Sequence, residues 1–407
     1  MLQAIILDIL ACPIDGHFPL EPISLKTRNE DILDGVLLCE TCGRWFPIRG
    51  GIPHLVRDGL RFQEQDLAFL KEYKERLPPL VVEKGLPINL WDAIIHPTPE
   101  EKQCLEEGAF WSEYVKVHYA VGDTTILDVR SRSTHPSFYN LGVLEPDDKD
   151  RVRRYGMWPD HLSRVIFGFL EKEKPGIALD VGCGGGQFGL EAAHLGWVVL
   201  AMDIALGALE VGRDYASQKG LDMHYIYAEP ANPPIRKKTI DLLMAKDAFH
   251  HLLHLEEVFR RLHALVRDDG KCLFFDHVRR SPVAQWIKRQ ANRYLHPKIQ
   301  RRYPRVEVPE VLKRGSPCED VGTGRILTLA ERYFHITRSV KEIMLYHDLE
   351  FSIYYAFGKR LWFARLMAWL VRWFVEKPLL FIEGPEYAIL IGKKRQWDVE
   401  GAESFQS

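Results

Sequence analysis

A chain of 407 residues with 46% hydrophobic and 27% charged residues has the make-up of a folded protein of two or three domains, which excludes a disordered, collagen-like or coiled-coil chain. Its 54 Lys and Arg against 56 Asp and Glu leave a net charge of -2, so no overall pull toward nucleic acid or membrane exists and any basic surface has to be local. The seven cysteines are an odd number in a long chain, unlike a secreted disulfide framework, and a reducing cytoplasm is the expected setting.

The apolar start MLQAIILDILA, followed by Cys12, lacks the make-up of an export signal: no Lys or Arg precedes it, Asp8 interrupts it and Pro13 follows the cysteine. Residues 1–60 read as a small turn-rich domain. Within it Cys12-Pro13-Ile14-Asp15 and Cys39-Glu40-Thr41-Cys42 form two ligand knuckles, each with two residues between its candidate ligands, a spacing that signals zinc. The alternative is three cysteines packed as small hydrophobes. The stretches LDILACPIDGHFPL (7–20) and DGVLLCETCGRWFPIRGGIPHLV (34–56) resemble the small zinc-ribbon protein that activates several tRNA, rRNA and release-factor methyltransferases. Many members have a second cysteine where this chain has Asp15, so the resemblance implies a Zn2+ site of Cys12, Asp15, Cys39 and Cys42. It also implies that the module covers an apolar surface of the domain it is fused to, as a stabiliser or substrate platform.

Residues 61–150 read as a connector, partly helical around FQEQDLAFLKEYKERL and broken by prolines at 78, 79, 87, 97, 99 and 136. From Asp160 the spacing of Leu162, Val165, Ile166, Phe169 and Leu170 predicts an amphipathic helix that Lys174-Pro175-Gly176 stops. A βαβ alternation follows: strand 177–181, a glycine-rich turn, a helix, strand 197–203, a helix over 205–218, strands 223–227 and 240–245, a helix over 250–267 and strand 271–275. Strand 387–393 comes last, before a frayed tail at 398–407. The pattern is that of an α/β, doubly wound, Rossmann-like sheet over 151–397.

At the end of the first of these strands stand Asp180, Gly182, Gly184 and Gly186, where glycines let backbone approach a ligand. Gly184, Gly186 and Gly189 also satisfy the dinucleotide pattern G-x-G-x-x-G. Asp180 separates the two readings, because a carboxylate there repels a diphosphate and attracts the ammonium and sulfonium of S-adenosylmethionine. LDVGCGGG (179–186), the acidic strand end at Asp203 and TIDLLMAKDAFHHL (239–252) together resemble the class I S-adenosylmethionine-dependent methyltransferases. That resemblance implies a seven-stranded sheet, a methionine moiety held by Asp180 and the glycine backbone, and ribose hydroxyls bonded to Asp203. Glu229 stands near where the family has the aspartate that contacts adenine. Asp247, His250 and His251, after the fourth strand, are the candidate acid–base groups; packing and capping is the other role for the histidines. Asn232-Pro233-Pro234 resembles the N-P-P-Y of amide and amino methylating enzymes but precedes the strand that the motif should follow, and reads as a turn.

Two insertions, 281–320 and 346–383, are expected to choose the acceptor. Between Asp276 and Glu307 lie nine Lys or Arg (279, 280, 288, 289, 293, 298, 301, 302, 305), with Trp286, Tyr294 and Tyr303 interleaved and no acid. This is either a solvated face or a contact for RNA phosphate, anionic lipid headgroups or a phosphorylated substrate. The run 361–382 carries Arg365, Arg372 and Glu376 on one narrow face and apolar residues over the rest, as in a buried helix, a lid or an interfacial helix; its charges and Pro378 exclude a membrane span. The expected activity is methyl transfer from S-adenosylmethionine to oxygen or carbon of an apolar or lipid-linked small molecule, in the cytoplasm and peripherally at the membrane. RNA methylation is the second reading and a non-catalytic scaffold the third.

Overall fold

The computed structural model describes residues 4–78, 81, 96–120, 122, 127–128, 161–302, 310, 315–318, 324–343, 345, 349, 352–353, 356–357 and 361–396. Arg305, Tyr303, the tail and parts of the connector and of both expected insertions lie outside the described residues.

Helix α1 (Ala4–Leu7) leads into a four-stranded antiparallel sheet of β1 (Glu21–Arg28), β2 (Asp31–Leu38), β3 (Trp45–Arg49) and β4 (Ile52–Pro53), in that order across the sheet. The β1–β2 and β3–β4 hairpins close in two residues, while the knuckle Cys39–Arg44 joins β2 to β3. Gly50 and Gly51 both have positive φ, as the tight turn between β3 and β4 requires, whereas Asn29 and Glu30 adopt the same left-handed region without glycine.

After α2 (Gln63–Tyr73), α3 (Pro99–Ala120) and α4 (His161–Leu170) come β5 (Ile177–Val181), α5 (Gln187–His194), β6 (Val198–Asp203), α6 (Leu206–Lys219), β7 (Met223–Tyr227) and β8 (Ile240–Lys246). The chain continues through α7 (Leu255–Leu265), β9 (Val266–His277), α8 (Pro282–Arg302), α9 (Arg325–Tyr333), β10 (Phe334–Glu342), α10 (Leu361–Val371), one π turn (Arg372–Glu376), α11 (Lys377–Glu383) and β11 (Tyr387–Lys394). Strands β5 to β11 form one seven-stranded sheet in the order β10-β11-β9-β8-β5-β6-β7, parallel except for the two pairings of β11. The apolar runs IALDV and MHYIY suit strands covered on both faces, and two apolar cores lie on the two sides of the sheet.

The order reverses between β5 and β8: from β5 the chain winds outward through β6 and β7, then returns to β8 on the other side. The connections diverge there and leave a crevice at the carboxyl ends of both strands.

The small sheet docks on the free edge of the large one. Leu55 N donates to Tyr227 O at 2.9 Å, Ala11 N to Pro234 O at 2.9 Å and Arg236 N to Ile9 O at 2.8 Å. Leu10, Leu37, Phe46 and Leu55 join the same core as Leu200, Met202 and Ile226. The edge strand β7, otherwise a row of open backbone groups, is thereby capped. Asn232-Pro233-Pro234 forms the turn into β8, and it also serves as the seat of the N-terminal chain.

Several elements differ from the sequence expectation, and α3, a helix of 22 residues in the connector, is one of them. The 250–267 helix starts at Leu255, because His254 is left-handed and Phe249–His251 forms a single tight turn. β9 begins at Val266 rather than 271. β10 is the seventh strand that the resemblance implies and to which no residues were assigned: FHITRSVKE is an outer strand with most side chains exposed, so its sequence lacks the apolar alternation that marks a strand.

Candidate active site and metal centre

The turn after β5 places Gly182 (φ +62°) so close to the loop after β8 that a Cβ there would lie 2.6 Å from Ala248 Cβ. Gly184 (φ +55°) instead faces open space. Around this turn lies a cavity of about 280 Å³ lined by Asp180, Gly182, Cys183, Gly184, Gly185, Gln187, Asp203, Ile204, Pro230, Lys246, Asp247 and His251, with Glu107, Trp111 and Tyr114 of α3 along one side.

Asp180 is buried. Its Oδ2 accepts the Gly189 N–H at 2.8 Å, while Oδ1 has no hydrogen-bond partner. Burial, reinforced by the nearby Asp203 charge, pushes its carboxyl up to about 7. Asp203 accepts from Gly184 N and Ala205 N, both at 2.7 Å, so it braces the glycine turn; burial raises its carboxyl above the usual range. An orphaned acid beside a glycine-walled cavity fits a cation such as the ammonium of S-adenosylmethionine, and Asp180, Asp203 and the Gly182–Gly185 backbone are the groups that would hold it.

Three of the expected site residues stand elsewhere. Gly186 caps α5 in a left-handed conformation, packed on Met223 and Tyr225, and does not line the cavity. Glu229 faces Arg57 of the N-terminal domain, whose Nη2 donates to Glu229 Oε2 at 2.7 Å, and Asn232 Nδ2 donates to Oε1 at 3.0 Å. The ion pair turns Glu229 toward the domain junction, so Pro230 lines the cavity in its place. His250 is buried against Asp276, with Nδ1 2.6 Å from Oδ1, while Asp276 Oδ2 accepts the Ala248 and Phe249 N–H groups. This pair holds the loop after β8 in shape.

Asp247 and His251 do line the cavity. Asp247 sits at φ +49°, strained for a residue with a side chain, and bonds Lys246 Nζ at 2.8 Å. Burial opposes its charge, but Lys246 and His277 outweigh burial and hold its carboxyl below the usual range. His251 Nδ1 lies 3.1 Å from Glu107 Oε1 and 3.0 Å from Ser316 Oγ. Glu107 also accepts from Trp111 Nε1 at 2.6 Å and Cys318 N at 3.0 Å. Burial works against the Glu107 charge, yet the bonds from His251 and Ser316 hold its carboxyl down to about 2. Nδ1–H facing a carboxylate leaves Nε2 as the acceptor nitrogen. Chemically, the arrangement can take a proton from a hydroxyl beside the cavity.

Sequence reasoning missed Glu107, Trp111, Tyr114, Lys246, Ser316 and Asp276. Only the aromatic cluster of EEGAFWSEY in the connector carried a signal, and it has no motif.

In the N-terminal domain Cys12, Asp15, Cys39 and Cys42 place their ligand atoms within 4.8 Å of one another. Cys12 Sγ and Cys42 Sγ are 3.7 Å apart, and tetrahedral zinc with bonds of about 2.3 Å sets neighbouring sulfurs about 3.8 Å apart. Both knuckles close in the same way, Gly16 N on Cys12 O and Gly43 N on Cys39 O, each glycine left-handed. The four groups fit Zn2+.

Residues 179–274 match the family model of the methyltransferase domain, and residues 4–51 match that of Trm112p-like proteins. The chain joins a methyltransferase domain to a Trm112p-like domain.

The methyltransferase domain is 30% identical over 118 residues to a ubiquinone biosynthesis O-methyltransferase of Ruegeria pomeroyi, covering 27% of this chain and 48% of that protein. The enzyme of the same name from Coxiella burnetii is 26% identical over 129 residues, covering 31% and 55%. The chain thus spans about half the length of the curated relatives it matches. Among solved structures, geranyl diphosphate C-methyltransferase from Streptomyces coelicolor A3(2) aligns with a TM-score of 0.42 at 13% identity, over 74% of this chain and 99% of that one. The residues that match the Trm112p-like model include the Cys12, Asp15, Cys39 and Cys42 cluster, and the strand and loop that follow them, 52–55, meet β7.

Proposed function

We propose that this protein is an S-adenosylmethionine-dependent methyltransferase acting on a small apolar or lipid-linked acceptor, at oxygen or carbon. The observation that carries the reading is the pairing of Glu107 with His251 at the wall of the glycine-loop cavity, 3.1 Å apart. When bound, S-adenosylmethionine supplies an electrophilic methyl group. The chain's own part is positioning: Asp180 and Asp203 fix the cofactor, Trp111 and Tyr114 exclude water along one side, and His251 Nε2 receives the acceptor's proton while Glu107 stabilises the imidazolium. Asp247 is the other candidate for a polar contact with the acceptor. The names of the curated relatives support an acceptor hydroxyl on an apolar molecule.

Calorimetric titration with S-adenosylmethionine, followed by turnover on phenols with and without an isoprenoid tail, tests this. No cofactor binding by the wild type, or binding unchanged in Asp180→Ala with Asp203→Ala, would overturn the cofactor assignment. The Trm112p-like match favours a second acceptor, RNA. Against an amide or amino acceptor stands the engagement of Asn232-Pro233-Pro234 with the N-terminal chain, away from the cavity. Methyl incorporation into tRNA or rRNA, and none into phenols, would establish the RNA reading.

A further inference from the structure

Ten of the twelve large apolar side chains exposed among the described residues lie on one module, helices α8, α10 and α11 with the π turn. These elements share a small core of their own: Ala284, Ile287, Ala291 and Leu295 of α8 meet Phe363, Met367, Val371 and Val375. That inner stripe, running from α10 into the π turn, uses spacing i, i+4, i+8 and i+12. A second stripe, Trp362, Leu366, Trp369 and Trp373, follows i, i+4, i+7 and i+11 and points to solvent, Trp362 being 68% exposed. Phe374 at 70% and Phe381 at 92% extend it. An outer face so rich in tryptophan is costly in water, while indole rings favour the headgroup boundary of a bilayer. Among the described residues no helix is long and apolar enough to cross a membrane. A helix of this kind lies on the surface instead.

The charge beside it is of the matching sign. α8 exposes Arg289 and Arg293 with Trp286, and no acid occurs from 277 to 306. The module is also anchored to the active-site end of the sheet. It leaves from the carboxyl end of β9 and returns at Tyr387, which pairs with His277; Ser281 N donates to Glu386 Oε1 at 2.7 Å, and Arg372 Nη2 to Glu342 Oε1 at 3.1 Å. His277 in turn lies 4.0 Å from Asp247, at the cavity wall.

We infer that the outer face of α10 and α11, with the basic face of α8, docks this protein on an anionic lipid bilayer, with the active-site end of the sheet nearest the membrane. The docking surface is separate from the catalytic residues and stands whether or not the methyl-transfer reading does.

The test is flotation of the full-length protein with phosphatidylcholine vesicles, with and without about 30% phosphatidylglycerol. The expected result is co-flotation with the anionic vesicles, weakened by salt, and quenching of tryptophan fluorescence by brominated lipid. A variant carrying Trp369→Ser, Trp373→Ser and Phe374→Ser is expected to lose about tenfold or more in vesicle affinity while keeping its melting temperature and S-adenosylmethionine binding. Arg289→Glu with Arg293→Glu is expected to lose the preference for anionic lipid. Wild-type protein that stays off both vesicles, or triple-variant protein that floats as well as wild type, would overturn the inference. So would a wild-type dimer in sedimentation that the triple variant dissociates, since the face would then be covered by a second copy. If the triple variant fails to fold, the bromine-quenching result on wild type decides alone.

Discussion

Asp180 and Glu107 titrate in opposite directions, and the signs separate them in pH. The folded-state value of Asp180 is raised to about 7, so the unfolded chain ionises first and stability falls as pH rises from about 4 to 7. A cation placed on Oδ1 favours the charged form, so cofactor binding near pH 6 is expected to release protons. Calorimetry in buffers of different ionisation enthalpy measures that release, and Asp180→Asn should abolish it. Glu107 is lowered to about 2, so its contribution is fully present above about 4.5 and is lost as pH falls toward 2. For turnover, His251→Ala is expected to cost about 10²–10⁴-fold, as removal of a general base does, and Glu107→Gln a smaller part of it. Cofactor affinity should be unchanged in both. A Glu107→Gln variant with wild-type kcat across pH would remove Glu107 from the proton-handling role.

At the scale of elements, the cavity depends on how closely α6 approaches the glycine turn. A Cβ on Gly212 would sit 2.2 Å from the Gly185 carbonyl oxygen. Gly212→Ala is therefore expected to push the turn into the cavity and weaken S-adenosylmethionine binding about tenfold or more, at an overpacking cost of about 1–3 kcal/mol. Titration of the variant against wild type checks it. Gly212 stands in a helix with no motif around it, so nothing in its sequence marks the contact. Helix α3 shows the same limit. Its residues supply Glu107, Trp111 and Tyr114 to a cavity whose floor lies some 70 residues downstream, and a contact over that separation leaves no spacing to read. The parallel strands, by contrast, were legible because burial on both faces demands continuous apolar runs; β10, exposed along most of its length, had no such demand upon it.

At the scale of the molecule the N-terminal domain joins both apolar cores of the large sheet, through Leu37 and Phe46 on one side and Ile52, Val56 and Leu60 on the other, and meets it at one strand-edge junction with the Arg57–Glu229 pair across it. A single cooperative transition in scanning calorimetry is the expected consequence, and two resolved transitions would show that the junction contributes little. Metal analysis should return about one zinc per chain for wild type. Cys39→Ser should return less and melt at a lower temperature, and the drop should extend to the cofactor site because the knuckles pack on the same core as β6 and β7.

The sequence by itself determined what depends on neighbours along the chain: the βαβ alternation, the glycine turn with Asp180 before it, and the paired knuckles at 12–15 and 39–42. Strand periodicity, turn chemistry and ligand spacing are local demands, and they leave local marks. Tertiary structure alone decided which of the candidates meet. It took Glu229 to the domain junction, buried His250 under Asp276, left His251 at the cavity and brought Glu107 to it from the connector. It also decided that the greasy stretch 361–382 packs with one stripe and exposes the other. Both stripes are apolar, so only the neighbours that cover one of them tell the two apart.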